Sequence, residues 1–231
     1  MSGEKKHGKF IVIEGTDGSG KTEQFERLIL RLPEDIKFAT LDFPQYGRES
    51  SYFVRRYLKG EYGSGDEVGP KKASLFFALD RFDVSSEIKK WLGDGKLVVS
   101  NRYVASNMGY QGGKIEKKEE REKLFRWIHE LEFETLGIPR PDLNIILHMP
   151  AVVSYELISK KGEQDYIGGK GCDIREADFD YLKRAEEAYL EIAKLFPKDF
   201  TLVECMDNGK LLPIEEVHER IWKVVAKVIG V

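Results

Sequence analysis

The sequence holds only two cysteines, Cys172 and Cys205, among 231 residues. Two cysteines cannot build a disulfide framework. Lying so far apart, they read as reduced thiols of a cytoplasmic protein rather than as a single bridge. Neither sign of charge is in excess: 37 Lys and Arg stand against 40 Asp and Glu, a formal charge of −3. That balance calls for no nucleic-acid partner and no membrane partner. No apolar run is long enough to cross a bilayer as a helix. Residues 1–8 are polar, lack the apolar core of a signal peptide, and read as a disordered tail. There is no internal repeat, low-complexity tract or linker to divide the chain, so 9–231 reads as one domain. A chain of this length buries a substantial core without disulfides or metal.

What the chain does have begins at Phe10-Ile11-Val12-Ile13, a strand-like apolar run. It leads into Gly15-Thr16-Asp17-Gly18-Ser19-Gly20-Lys21-Thr22 and then into an amphipathic run with Phe25, Leu28 and Ile29. Strand, glycine turn and helix are the context that makes GxxxxGK[ST] a phosphate-binding loop. Glycines let successive N–H groups point at one anion, and the helix N-terminus adds positive partial charge. Lys21 is placed to reach the β- and γ-phosphates, and the Thr22 hydroxyl to ligate Mg²⁺. This is a nucleoside-triphosphate site.

The rest alternates. Strands are expected at Lys37–Phe43, Lys96–Ser100, Leu143–Leu147 and Phe200–Glu204. Helices are expected at about Ser50–Leu58, Pro70–Leu92, Lys117–Leu136, from Ala151 to near Lys160, at Glu176–Phe196, and from Pro213 onward. Alternation argues for an α/β fold with a parallel sheet covered on both faces. Pro70–Leu92 is apolar on more than one face and predicts burial in the core or against another subunit. Asp80-Arg81 within it must be ion-paired or face a polar cavity. Asn101-Arg102-Tyr103 ends the third strand, where parallel sheets place ligand-contacting residues. Gly162–Ile174 carries four glycines and no period, the pattern of a mobile lid or a plain surface loop.

Four stretches in this order resemble the thymidylate kinase family of nucleoside-monophosphate kinases, over nearly the whole chain. They are Phe10 to Thr22, Phe43-Pro44, the Leu75 to Arg81 helix, and Asn101 to Asn107 with Tyr110-Gln111-Gly112. The resemblance implies a P-loop kinase fold with a five-stranded parallel sheet, a homodimer, and γ-phosphoryl transfer from Mg-ATP to dTMP. By family, Asp17 meets the sugar 3′-hydroxyl, Phe77 stacks on thymine, and Arg81 donates to a base carbonyl. Arg102 grips phosphates at the transfer point; Asn107, Tyr110 and Gln111 lie around base and sugar. Phe43 belongs to the same acceptor side. A lid is implied at about 160–176. With Gly18 leaving the phosphate loop without an arginine, the catalytic cation should come from there: Arg175 first, then Lys161 and Lys170.

Three positions depart from the family pattern. Asn101 stands where an aspartate is usual; a neutral amide orders a Mg²⁺-bound water or ligates weakly. Either Glu14, Asp17 or a lid acid compensates, or metal handling is weaker. His148 replaces an aspartate in Leu147-His148-Met149 and reads as a structural histidine. Tyr46 takes the place of the arginine expected shortly after Phe43-Pro44, leaving Arg48 to reach the acceptor phosphate, with Arg55 and Arg56 behind it. Two rival readings are a deoxynucleoside kinase, which needs a general base, and a non-catalytic nucleotide-binding regulator. A GTPase-type switch would need Asn-Lys-x-Asp, which the chain lacks.

Overall fold

The computed structural model describes residues 7–160 and 179–231. In chain order the first elements are β1 (Phe10–Gly15), α1 (Lys21–Arg31), β2 (Phe38–Asp42), α2 (Tyr52–Leu58), α3 (Gly65–Val68), α4 (Pro70–Asp83), α5 (Ser85–Gly93) and β3 (Leu97–Asn101). There follow α6 (Val104–Gly112), α7 (Lys118–His129), a π-helical turn at Glu130–Thr135, β4 (Leu143–His148) and α8 (Ala151–Lys160). The chain continues with α9 (Phe179–Leu195), β5 (Phe200–Glu204), the short hairpin β6 (Met206–Asp207) and β7 (Lys210–Leu211), and α10 (Ile214–Ile229). Gly8, the last residue of the expected tail, is buried, with its N–H donated to Leu92 O at 2.8 Å.

The five long strands form one parallel sheet in the order β2-β3-β1-β4-β5. β1 and β3 lie inside the sheet and are buried throughout, so Phe10–Ile13 and Leu97–Val99 are continuous apolar runs rather than alternating ones. The pleat sends alternate residues of β1 to opposite faces. Phe10 and Val12 join a layer with α5, α6, α7 and α9, through Ile88, Met108, Phe125 and Ile192. Ile11 and Ile13 join the other, with α1 and α10, through Leu28, Ile221 and Val225. The result is the three-layer α/β architecture expected. Its consequence for function is placement: the loop after β1 and the turn after β3 emerge side by side at the C-terminal edge of the sheet.

Two expected helices differ in detail. Pro70–Leu92 is two helices, broken at Val84 (φ −91°, ψ 0°), which is buried in the core. The bend lets Ile88 and Leu92 of α5 pack against the sheet. Nor is α4 simply buried. Its inward side carries Ala73, Ser74, Ala78, Asp80 and Arg81, while Leu75, Leu79 and Phe82 are 39%, 44% and 46% exposed along one outward stripe. Lys117–Leu136 is α7 followed by the π turn, in which Glu132 continues the buried stripe of Phe125 and Ile128. α6 was not foreseen. Its two glycines argue against a helix, but a Cβ at Gly109 would lie 2.7 Å from the Tyr189 ring, so close helix packing fixes it.

His148 ends β4 between two carboxylates, with Nδ1 2.6 Å from Glu204 Oε2 and Nε2 2.9 Å from Glu186 Oε1. The other Glu186 oxygen accepts the Ala151 N–H at 2.7 Å and so caps α8. The histidine is structural, as expected. Its pKa is raised from 6.5, first by the bond to Glu186 and then, against partial burial, by Glu204. A raised histidine contributes stability fully below its unfolded pKa and loses it as pH climbs through the folded value. Thermal melts should therefore show His148→Gln flattening the loss of Tm that the unaltered protein undergoes above about pH 6.5; parallel slopes would contradict this.

Candidate active site

The loop after β1 is shaped for an anion. Gly20 caps α1 in the left-handed region (φ 83°, ψ 13°) and offers no side chain to the helix N–H groups. Those groups and the dipole behind them face the loop. Gly18 is also left-handed (φ 77°), and a Cβ there would lie 2.6 Å from Ser154 O. Lys21 folds over the loop with Nζ donating to Thr16 O at 2.6 Å. The Thr16 and Ser19 hydroxyl oxygens are buried without a hydrogen-bond partner among the described residues. Thr22 is exposed at the start of α1. An arrangement with so many donors and so few internal acceptors fits a phosphate chain.

Arg102 stands beside it in a conformation that arginine rarely takes, φ 65°. The turn that imposes this is built on Glu14 at the end of β1. Glu14 is 0% exposed and accepts the Tyr103 N–H at 2.7 Å, the Ser106 N–H at 3.2 Å and the Ser106 hydroxyl at 2.6 Å. Burial pushes its pKa up, opposed by those bonds and by Arg102. The Arg102 N–H is itself held by Ile13 O at 2.9 Å. The guanidinium is thereby aimed at Asp17, with which Nη2 pairs directly. Tyr110 of α6 donates its hydroxyl to the other Asp17 oxygen and accepts the Asp17 N–H at 2.9 Å. Lys21 Nζ lies 3.8 Å from the same carboxylate. Burial alone would raise the Asp17 pKa, yet Arg102 and Lys21 hold it at about 2. Asp17 is thus anionic and bracketed by two cations and a phenol.

A second cluster lies on α4, α6 and the π turn. Arg81 is paired with Glu132 through Nε at 2.5 Å and Nη2 at 2.6 Å, both side chains almost fully buried. Asn107 Nδ2 donates to Glu132 at 2.9 Å and to Ser74 O at 3.1 Å, and Asn107 Oδ1 is buried without a partner among the described residues. Breaking this pair from one side would leave a buried charge uncompensated, at a cost of about 3–5 kcal/mol. The structure therefore answers the question left by Asp80-Arg81. Arg81 sits in an ion pair, while Asp80 accepts the Gln45 N–H at 2.8 Å and the Ser50 hydroxyl at 2.6 Å. Phe77, half-buried on the same helix, meets the Tyr57 ring edge-on at 6.1 Å. Gln111 accepts from Lys114, which also reaches the Tyr57 hydroxyl at 2.6 Å.

Not every expected position comes to these clusters. Phe43 is 3% exposed and packs on Tyr103, so its ring is core. Arg48 pairs with Glu87 of α5 at 2.7 Å at the surface. Arg55 braces the preceding loop through Tyr46 O, Arg48 O and Ser51, and Arg56 pairs with Glu61. Arg175, Lys161 and Lys170 lie outside the described residues, as does Cys172. Two residues were missed. Glu132 falls four residues after Ile128, in line with the inward stripe of α7, and that lone carboxylate among apolar positions was the signal. Asp42 carried a signal in its place at a strand end, and the pairing of β2 with β3 sets it against Asn101, to which it is hydrogen-bonded at 3.0 Å.

Comparison with known proteins gives the family and the fold. A family model described as thymidylate kinase matches residues 13–221. The thymidylate kinase of Mycobacterium tuberculosis strain H37Rv is 31% identical over 185 residues, 79% of this chain and 85% of that protein. A probable thymidylate kinase of Pyrococcus abyssi is 29% identical over 94% of this chain and 96% of its own length. The solved structure of thymidylate kinase from Candida albicans superposes with a TM-score of 0.72 over 96% of this chain and 92% of that one, at 23% identity, a likeness of fold.

Proposed function

Because the chain belongs to the thymidylate kinase family, we propose that its phosphate loop holds ATP while Asp17, Arg102 and Tyr110 seat and orient dTMP. The protein transfers the γ-phosphoryl group of ATP to dTMP, giving ADP and dTDP. An acceptor phosphate oxygen forms a bond to the γ-phosphorus as the β–γ bridging bond breaks, and the electron pair leaves with ADP. The acceptor is already an anion, so no general base is needed, and catalysis is alignment plus neutralisation of charge. This is what separates it from a deoxynucleoside kinase.

The observation that carries the reading is the meeting of Asp17, Lys21, Arg102 and Tyr110 at the sheet edge. Lys21 neutralises the β- and γ-oxygens. Arg102 presents a forked donor to the phosphates in flight. Asp17, kept anionic, accepts from the sugar 3′-hydroxyl, and Tyr110 fills the space beside it where a 2′-hydroxyl would stand. Phe77 supplies an aromatic face to the base. The Arg81 pair uses Nε and Nη2, so Nη1 is the nitrogen a base carbonyl would meet. Arg175 is the cation assigned to the transferring group by its place in the sequence.

Among the described residues no group of three or more His, Cys, Asp or Glu could hold a metal by itself. That fits Mg²⁺ carried by nucleotide phosphates with one or two protein contacts. Thr22, exposed beside the loop, and Asn101, whose buried Oδ1 has no partner among the described residues, are the groups that would meet it. When bound, the ion neutralises charge on the β- and γ-phosphate oxygens. No helix among the described residues is long and apolar enough to cross a membrane, and a cytoplasmic protein is the reading that goes with ATP and dTMP as substrates.

Purified protein with Mg-ATP should convert dTMP to dTDP with one ADP formed per turnover and leave thymidine unphosphorylated. Phosphorylation of thymidine but not of dTMP would overturn the acceptor-side assignments. A homodimer is proposed on the outward stripe Leu75, Leu79 and Phe82 of α4, an apolar patch of the kind that a second copy covers. Sedimentation should then give a dimer mass for the unaltered chain and a monomer mass for Leu79→Arg; a dimer in both would remove this surface from the account.

A further inference from the structure

The carboxylate that the family pattern places at 101 is absent here, and two of the acids expected to compensate are engaged elsewhere. Glu14 is 0% exposed and committed to Tyr103 and Ser106. Asp17 is held by Arg102 and Tyr110. A third acid stands next to Asn101. Asp42 ends β2 in register with Asn101 at the end of β3, and Asn101 Nδ2 donates to Asp42 Oδ1 at 3.0 Å. That bond orients the amide. Its other end, Oδ1, is buried with no partner among the described residues, in a side chain only 7% exposed. Asp42 opens on a cavity of about 470 Å³ that is also lined by Phe25 of α1 and by Arg48.

Asp42 and Asn101 together carry one carboxylate and one amide at two adjoining strand ends, the charge of an aspartate at 101 moved one rung across the sheet. We propose that the pair acts as one metal-positioning unit for the Mg²⁺ that accompanies ATP, resting on the phosphate-loop reading above. Asp42 supplies the negative charge, Asn101 Nδ2 fixes its carboxylate, and Asn101 Oδ1 is the acceptor for a metal-bound water. A simple strand-end hydrogen bond would leave Oδ1 unsatisfied in the interior, which costs about 1–3 kcal/mol.

The test uses the full chain, ATP and Mn²⁺ in place of Mg²⁺, with bound Mn²⁺ read by electron paramagnetic resonance and no acceptor present. Asp42→Asn should weaken Mn²⁺ retention by the protein–ATP complex about 10- to 100-fold. ATP affinity in excess chelator should stay within about twofold, which reports separately on the phosphate loop and on folding. The exchanged variant Asp42→Asn/Asn101→Asp, with the charge returned to β3, should recover most of the Mn²⁺ affinity. Unchanged Mn²⁺ retention in Asp42→Asn overturns the proposal. So does an exchanged variant as weak as the single one, because the charge at these two ends would then not be what the metal reads.

Discussion

Glu14 carries no exposed surface and touches no substrate group in this account, yet the site is organised by its hydrogen bonds. It lies at the C-terminal end of the central strand, accepts two backbone N–H groups and a hydroxyl from the turn after β3, and thereby ties adjacent strand ends together. The reward for burying a carboxylate is a fixed turn. Within it Arg102 sits at φ 65°, a conformation that costs a non-glycine residue of order 1–3 kcal/mol and persists only where the surroundings over-determine it. The Arg102 N–H on Ile13 O and the Ser100 hydroxyl donating to Arg102 O supply that surplus of constraint. A guanidinium delivered in this way is preorganised, and preorganised charge is what phosphoryl transfer asks of a protein.

Sheet order turns this local device into a site. β1 lies between β3 and β4, so the phosphate loop and the Arg102 turn leave the sheet as neighbours. α6 starts immediately beyond that turn and carries Tyr110 back to Asp17. On its other flank α6 carries Asn107 to the Arg81–Glu132 pair, which joins α4 to the π turn. The Asp17 cluster and the Arg81 cluster therefore share one short helix, packed closely enough that Gly109 leaves no room for a side chain beside Tyr189.

What the sequence revealed and what it hid divides by range. The phosphate loop, the strands and the Arg102 position were legible because each is a local pattern: an apolar run, a glycine spacing, a residue at a strand end. Asp17 and Tyr110 were named by resemblance, and the structure joins them through contacts 93 residues apart. Glu132 continues the inward stripe of Phe125 and Ile128, but a carboxylate on an apolar stripe does not name its partner, and Arg81 lies 51 residues away. The break at Val84 was hidden because an apolar residue reads the same in mid-helix as at a bend into the core. Phe43 was named by resemblance and Arg48 by its nearness to Phe43-Pro44; in the structure the Phe43 ring is in the core and Arg48 pairs with Glu87. Asn101 was seen as a loss; the carboxylate facing it from β2 was not weighed, since strand pairing is a non-local fact.

The central claim is that a strained, Glu14-braced Arg102 stabilises the phosphoryl group in transfer, and its most direct measurement is the kinetics of Arg102→Lys with Mg-ATP and dTMP. Lysine keeps the charge but loses the fork. The account predicts kcat lower by about 10²–10³-fold, with dTMP affinity changed far less. A kcat within about threefold of the unaltered enzyme would contradict it.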